Sequence, residues 1–116
     1  MSGTLRLGTS AFTAAGWPGT FYPEGLPPAE YLSYYAQHFD AVEVDSTYYR
    51  IPTLAMTRGW AAKTPKNFMF ALKMTSTITH EKVLVDCEDE FKRFLAAADA
   101  LGEILGPLLF QFPYFN

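Results

Sequence analysis

Short apolar runs, separated by longer stretches with helical periodicity, make up most of the 116-residue chain. The runs at 5–8, 41–45, 68–74 and 107–112 have the length and composition of strands. Each connection between them is long enough to include a helix, which parallel strands require. The pattern therefore predicts the order β-α-β-α-β-α-β and a parallel sheet with right-handed crossovers.

Three helices are predicted from apolar residues that recur every three to four positions. The first follows Pro28, since proline is tolerated at a helix start, and the second begins near Thr53. The third is the clearest, with Asp86 as the expected N-cap and Gly106 and Pro107 as the expected end. Its buried stripe is predicted to be Phe91, Phe94, Leu95, Ala98 and Leu101.

The two faces of the predicted sheet differ in polarity. The face under the helices must be apolar, and it is expected to hold Val42, Val44, Phe70, Leu72, Leu108, Phe110 and Phe112. The opposite face carries Glu43, Asp45, Lys73 and Gln111, each near the carboxyl end of its strand. Ligand sites of parallel α/β folds form at that edge. A site is therefore favoured over the alternative, a buried Glu43–Lys73 pair that only fixes strand register.

Composition and charge narrow the class of protein. Hydrophobic residues make up 49% and charged residues 18%, which is typical of a single globular domain over residues 1–116. A net charge of −3 and a pI near 5.2 give no global attraction to nucleic acid or anionic membranes, although a local basic patch is compatible with them. Cys87 is the only cysteine, so a reducing, cytoplasmic location is expected. No apolar run approaches the roughly 18 residues of a membrane helix.

Six sequence blocks follow one another along the chain: LGTS, WPGTFYPEGLP, VEVDSTYYRIP, FALKM, ITHEK and GPLLFQFP. They resemble, in the same order, the YecE-like family (domain of unknown function 72), and the resemblance runs from Leu5 to Phe112. It implies a (β/α) barrel of the triosephosphate isomerase type. Family members are longer, so the chain is expected to be the N-terminal half of one barrel domain, a half-barrel of four strands and three helices truncated after the fourth strand. The alternative is a homodimer in which two copies close one barrel.

The mouth of such a barrel suits a small anionic ligand that carries phosphate or carboxylate, such as a sugar derivative. Lys73, Arg50 and His80 could hold the anionic group, and Glu43 could act as a general base or hold a sugar hydroxyl. The candidate catalytic residues are therefore Glu43, Lys73 and His80. The candidate ligand contacts are Thr9, Ser10, Asp45, Tyr48, Tyr49, Arg50 and Gln111.

Other interpretations stay open. The chain could be an enzyme, a non-catalytic module for a phosphorylated ligand or a nucleic-acid end, or a fragment that is inactive without its second half. Tyr48 and Tyr49, with aromatics of the first long loop, could stack on a base or sugar ring, although loop packing is the favoured role. His80, Glu43 and Asp45 could bind one cation, but no ligand spacing requires it, so no metal is predicted. Walker-type loops, dinucleotide fingerprints and nucleophile elbows are absent, and no cofactor is predicted.

Overall fold

Four strands and three helices alternate along residues 3–114, the part of the chain that the computed structural model describes. They are β1 Gly8–Thr9, α1 Tyr31–His38, β2 Ala41–Val44, α2 Leu54–Ala62, β3 Met69–Lys73, α3 Glu88–Asp99 and β4 Leu105–Leu109. Shorter elements are the 3₁₀ turns Pro28–Glu30, Ser46–Tyr48 and Gly102–Ile104 and the π-helical turn Thr77–Glu81. The ends of the predicted domain, residues 1, 2, 115 and 116, lie outside the described part.

All four strands are parallel and form one sheet in the order β1-β2-β3-β4. β2 pairs with β3 along its whole length, with Val42 opposite Phe70 and Val44 opposite Leu72. Each strand is therefore a neighbour of the next one along the chain, as helical crossovers between parallel strands allow. The predicted α/β class with a parallel sheet is confirmed.

The core lies between one face of this sheet and the helices. Val42, Val44, Phe70 and Leu72 are at most 3% exposed, as the alternation of the strands predicts. The helices cover this face with buried side chains that include Leu32 and Tyr35 of α1 and Phe94 and Ala98 of α3.

The opposite face of the sheet is open. A shallow cleft of about 300 Å³ on it is lined by residues of β1, β2, β3 and the start of the first loop, with none from a helix. Ala41, Glu43, Met69, Ala71 and Lys73 alternate with the core residues and are only half-buried. Parallel sheets are normally covered on both faces. The polar residues predicted from the sequence therefore lie on a surface that a ligand or a further polypeptide can reach.

The first strand is shorter than predicted. Leu5 and Leu7, expected within it, are 92% and 67% exposed, and only Gly8 and Thr9 pair with β2. The Asp40 carboxylate accepts a hydrogen bond from the Leu7 amide at 2.6 Å, which removes that amide from the ladder. Gly8 approaches β2 so closely that a Cβ would lie 2.0 Å from the Ala41 carbonyl oxygen. Glycine is therefore required where the sheet begins.

The fourth strand begins earlier than predicted, because the expected helix terminators lie inside it. Leu105 pairs with Phe70 and Leu108 with Leu72, so Gly106 and Pro107 together oppose one residue of β3. Such a bulge on an edge strand accommodates proline, which has no amide hydrogen. The helix itself ends at Asp99, before the 3₁₀ turn at Gly102–Ile104.

Two details of the third helix also differ from prediction. The N-cap position is held by Cys87, which makes no side-chain capping bond, whereas Asp86 lies one residue outside with φ +49°. Leu95, predicted in the buried stripe, is 37% exposed, and Ala97 is buried in its place. Among the described residues, no helix is long and apolar enough to cross a membrane.

Candidate functional site

The carboxyl ends of β2 and β3 are joined by buried threonines. After β2 the chain turns through Ser46–Tyr48, and the Thr47 hydroxyl, 1% exposed, donates to the Lys73 carbonyl at 2.6 Å. The Thr75 hydroxyl approaches the Tyr48 carbonyl at 3.4 Å from the other side. These contacts fix the turn against β3, so the position of Tyr48 depends on the sheet rather than on a mobile loop.

The Tyr48 ring gathers the predicted site residues. The Lys73 ammonium lies over its face, 4.6 Å from the ring centre. The His80 ring meets it edge-on, with centres 5.2 Å apart and planes at 88°. Tyr49 packs against it in the same T-shaped way at 5.1 Å, while remaining 81% exposed. We call Tyr48, Lys73 and His80 the Tyr48 cluster.

A π-helical turn at Thr77–Glu81 presents His80 to this cluster. Ile78 and Thr79 anchor the turn, since both are fully buried. The Thr79 hydroxyl lies 2.7 Å from His80 Nδ1 and orients the imidazole ring. Single π-helical turns are frequent at functional sites.

Glu43 and Lys73 share the open face of the sheet but do not form an ion pair with each other. The alternative in which such a pair only fixes strand register therefore lacks its contact. Glu43 is opposite Ala71 in the register, two residues before Lys73 along β3. The single ion pair among residues 3–114 joins Lys82 to Glu90 instead. Lys73 therefore has no carboxylate partner among the described residues, and its contact is the phenol face of Tyr48. Glu43 lines the cleft on the open face.

The remaining predicted contacts differ in their surroundings. The amide and hydroxyl of Thr9 each lie 2.8 Å from the Tyr35 hydroxyl, so this threonine is engaged in packing β1 against α1. Ser10 is exposed at the rim of the cleft that Glu43 lines. The exposed side chains of Asp45, Arg50 and Gln111 make no hydrogen bond or ion pair with any described residue.

The segment after His80 is tied to α3 by one charged contact. The Lys82 ammonium lies 2.6 Å from Glu90 Oε1 and 3.0 Å from the Asp86 carbonyl. The hydrogen bond from Lys82 holds the pKa of Glu90 below its ordinary value and, in return, raises the pKa of Lys82. This contact spans Val83 and Leu84, which have φ values of +46° and +67°. It therefore restrains a part of the backbone that is unfavourable for side chains with a Cβ.

The aromatics of the first long loop pack on α1. Trp17 and Phe21 are in edge contact, and Tyr22 stacks on Tyr31 with ring centres 4.1 Å apart and planes at 6°. Tyr22 is fully buried and donates a hydrogen bond to the Phe12 carbonyl. Burial, followed by the neighbouring tyrosines, raises the pKa of Tyr22 to about 12. These rings are part of the hydrophobic core and its border, and they do not contact the Tyr48 cluster.

Three threonines that the sequence did not predict also contribute to the site. They are Thr47, Thr75 and Thr79. In the sequence they stand among serines, tyrosines and other threonines, where a hydroxyl usually indicates an exposed turn. The available signal was the position of Thr47 and Thr75 shortly after β2 and β3. Within the described ranges, no group of three or more histidine, cysteine, aspartate or glutamate side chains could hold a metal ion.

The chain is similar over most of its length to proteins of one family. A family model with the description "Protein of unknown function DUF72" matches residues 6–115. UPF0759 protein YecE of Escherichia coli K12 is 33% identical over 82 residues, which cover 71% of this chain and 30% of YecE. UPF0759 protein YunF of Bacillus subtilis 168 is 28% identical over 106 residues, which cover 84% of this chain and 38% of YunF.

Two solved structures of DUF72 family proteins have the same fold as this chain. That from Enterococcus faecalis V583 has a TM-score of 0.73 and 29% identity, covering 93% of this chain and 39% of that one. That from Thermotoga maritima MSB8 has a TM-score of 0.72 and 34% identity, covering 90% and 43%. The chain thus spans less than half the length of the relatives it matches.

Proposed function

Because the chain belongs to the DUF72 family, whose description assigns no activity, we propose a function from the geometry of its described residues. The Tyr48 cluster binds a small ligand through a phosphate or carboxylate group. The observation that carries this proposal is the Lys73 ammonium, which lies over the Tyr48 ring with no carboxylate partner. An unpaired cation at the carboxyl edge of a parallel sheet is a favourable place for an anion.

The other predicted residues contribute to the proposed site in different ways. His80 adds a hydrogen-bond donor beside Lys73, and the exposed Arg50 guanidinium closes over the anion from the segment after Tyr49. Thr9, Ser10, Asp45, Tyr49 and Gln111 surround the part of the ligand that extends along the sheet. If the ligand is turned over, Glu43 is the proposed base, since it lines the neighbouring cleft.

The architecture proposed around this site is half of a (β/α) barrel of the triosephosphate isomerase type, over residues 1–116. It is supported by the sequential parallel strand order, the helices on one face and the open cleft on the other. The proposed cover of the open face is a second copy of this chain, in a homodimer that brings β4 of one copy beside β1 of the other. Light scattering of the purified chain tests this proposal, and a well-folded monomer would contradict it. The reducing cytoplasm is the proposed location, which suits the free Cys87.

A titration with inorganic phosphate, followed by amide chemical shifts, tests the anion site. We expect the shifts to converge on residues 47–49, 73 and 79–80, and Lys73→Met to weaken binding at least tenfold. Lys66→Met is the matched control, because Lys66 is exposed in the connection that precedes β3, at the other end of the strand from Lys73. Equal effects of the two substitutions would refute a specific role for Lys73.

A second candidate function is a non-catalytic module for a phosphorylated nucleic-acid end. The observation in its favour is the Tyr49 ring, 81% exposed beside the cluster and free to stack on a base. A short 5′-phosphorylated oligonucleotide would then bind more tightly than phosphate alone, with an affinity that falls steeply with salt. Tyr49→Ala would remove that advantage and leave phosphate binding unchanged. An oligonucleotide that binds no better than phosphate would contradict this candidate.

A further inference from the structure

The hydrogen bonds around Thr79 determine which nitrogen of His80 carries the proton. Thr79 is fully buried, and its hydroxyl has two acceptors within reach: the Thr75 carbonyl at 3.5 Å and His80 Nδ1 at 2.7 Å. The Thr75 carbonyl already accepts the amides of Ile78 at 3.1 Å and of Thr79 at 3.3 Å. The hydroxyl has one hydrogen to donate, and the free acceptor at the shorter distance is the imidazole nitrogen.

The Thr79 hydroxyl is therefore the expected donor across the 2.7 Å that separates its oxygen from His80 Nδ1. With Nδ1 as an acceptor, the proton of the neutral imidazole is on Nε2.

We infer that Thr79 is a positioning residue that holds His80 as the Nε2–H tautomer, so that the site meets its ligand with hydrogen-bond donors. This inference rests on the anion site proposed above. Within residues 3–114, Nε2 has no hydrogen-bond partner, so its proton is available. Lys73, on the same phenol ring, contributes an ammonium that can only donate.

The consequence concerns the class of ligand. A pair of hydrogen-bond donors binds ligand oxygen atoms that accept hydrogen bonds. It adds no affinity for a ligand group that has a proton to donate. Sulfate and phosphate are similar in size, but at pH 8.5 phosphate keeps one proton and sulfate has none. Lys73 and the Nε2–H of His80 cannot accept that proton, so this pair of donors is expected to bind inorganic sulfate and hydrogen phosphate alike.

Nuclear magnetic resonance of the imidazole nitrogens tests the tautomer without any ligand. At pH 8.5 free imidazoles are neutral. We expect His80 in the wild-type chain to show a protonated Nε2 and a hydrogen-bonded Nδ1, with a slowly exchanging Thr79 hydroxyl proton close to the ring. The ring of exposed His38, the other histidine, makes no hydrogen bond with a described residue and is the internal reference for a tautomer mixture. A protonated Nδ1 at His80 would overturn the inference, and this measurement needs no variant to fold.

Two variants and two anions complete the test. Thr79→Val is expected to move His80 towards the mixture seen at His38 and to weaken sulfate and phosphate about fivefold, the effect of one neutral hydrogen bond. Thr79→Ser keeps the hydroxyl and is expected to change either affinity less than twofold. Wild-type affinities for sulfate and phosphate should agree within about threefold, whereas a tenfold preference for phosphate would overturn the assignment of His80 as a hydrogen-bond donor to the ligand. If neither anion binds but the tautomer is as expected, the proposed function fails and the role of Thr79 stands.

Discussion

Thr47→Val removes the hydroxyl that joins the end of β2 to the end of β3. Valine has nearly the volume of threonine and the same branching, so the packing around position 47 changes little. The Lys73 carbonyl loses a donor at 2.6 Å and the Val44 carbonyl loses a second contact at 3.0 Å, while the side chain at position 47 is only 1% exposed. Leaving one buried acceptor without a partner costs about 1–3 kcal/mol, and we expect the free energy of unfolding to fall by about 2 kcal/mol.

Thr57→Val is the matched control for this prediction. Thr57 is fully buried like Thr47, but its hydroxyl approaches only carbonyls of its own helical turn, those of Leu54 at 3.2 Å and Thr53 at 3.5 Å. Both carbonyls belong to the first turn of α2, where helix amides donate to them, so we expect a loss of less than about 0.5 kcal/mol. Urea unfolding followed by circular dichroism gives both values from shifts in the midpoint. Equal losses for the two variants would refute the claim that Thr47 acts through its bond between strands.

Three further predictions concern a pair of glycines and two titrating groups. Gly8→Ala should destabilise the chain by about 2 kcal/mol or more, because the new Cβ would meet the Ala41 carbonyl. Gly59→Ala in α2, where a Cβ meets nothing within 4 Å, should instead stabilise the chain by about 0.5–1 kcal/mol. Urea unfolding measures both changes. Burial raises the pKa of Tyr22 from 10.0 in the unfolded chain to about 12 in the folded chain. The contribution of this shift to stability is therefore complete below pH 10 and is lost as the pH rises to 12. Tyr22→Phe should flatten the fall in thermal midpoint over that interval, and an unchanged profile would contradict it. The hydrogen bond from Lys82 lowers the pKa of Glu90 in the folded state. The stability that Glu90 contributes is therefore present above pH 4.5 and is lost as the pH falls below that value. Lys82→Met should reduce this loss in acid unfolding curves.

Apolar periodicity was sufficient to predict the layers of the fold. Val42, Val44, Phe70 and Leu72 alternate with exposed or half-buried residues, and this period identifies both the strands and their buried face. The ends of the elements were less predictable, because local contacts decide them. Whether the strand starts at Leu5 or at Gly8 depends on the Asp40 carboxylate, which is distant in sequence and accepts the Leu7 amide.

The surroundings of Lys73 could be predicted only in part. Its position at the carboxyl end of β3 follows from strand direction and the phase of the alternation, whereas the contacts of Lys73 and His80 with the Tyr48 ring do not. For the Lys73 side chain, an ion pair with Glu43 on the adjacent strand was the alternative that the sequence left open. In the structure the side chain instead extends past the end of β3, where the Ser46–Tyr48 turn has brought a phenol ring. That turn is positioned by the buried hydroxyls of Thr47 and Thr75. The sequence does not indicate which threonines are buried.

The exchange of a carboxylate for a phenol face changes what the lysine can do. An ammonium paired with Glu43 would be neutralised, and an incoming phosphate would have to compete with that carboxylate. A phenol face attracts the ammonium by only about 0.5–2 kcal/mol and leaves its net charge intact. It also restricts the rotamers of the lysine before the ligand arrives, which lowers the entropy lost on binding. The contact of Lys73 with Tyr48 therefore favours a preorganised anion site, and Tyr48→Leu, which removes the ring but no charge, should weaken phosphate binding in the same titration that tests Lys73.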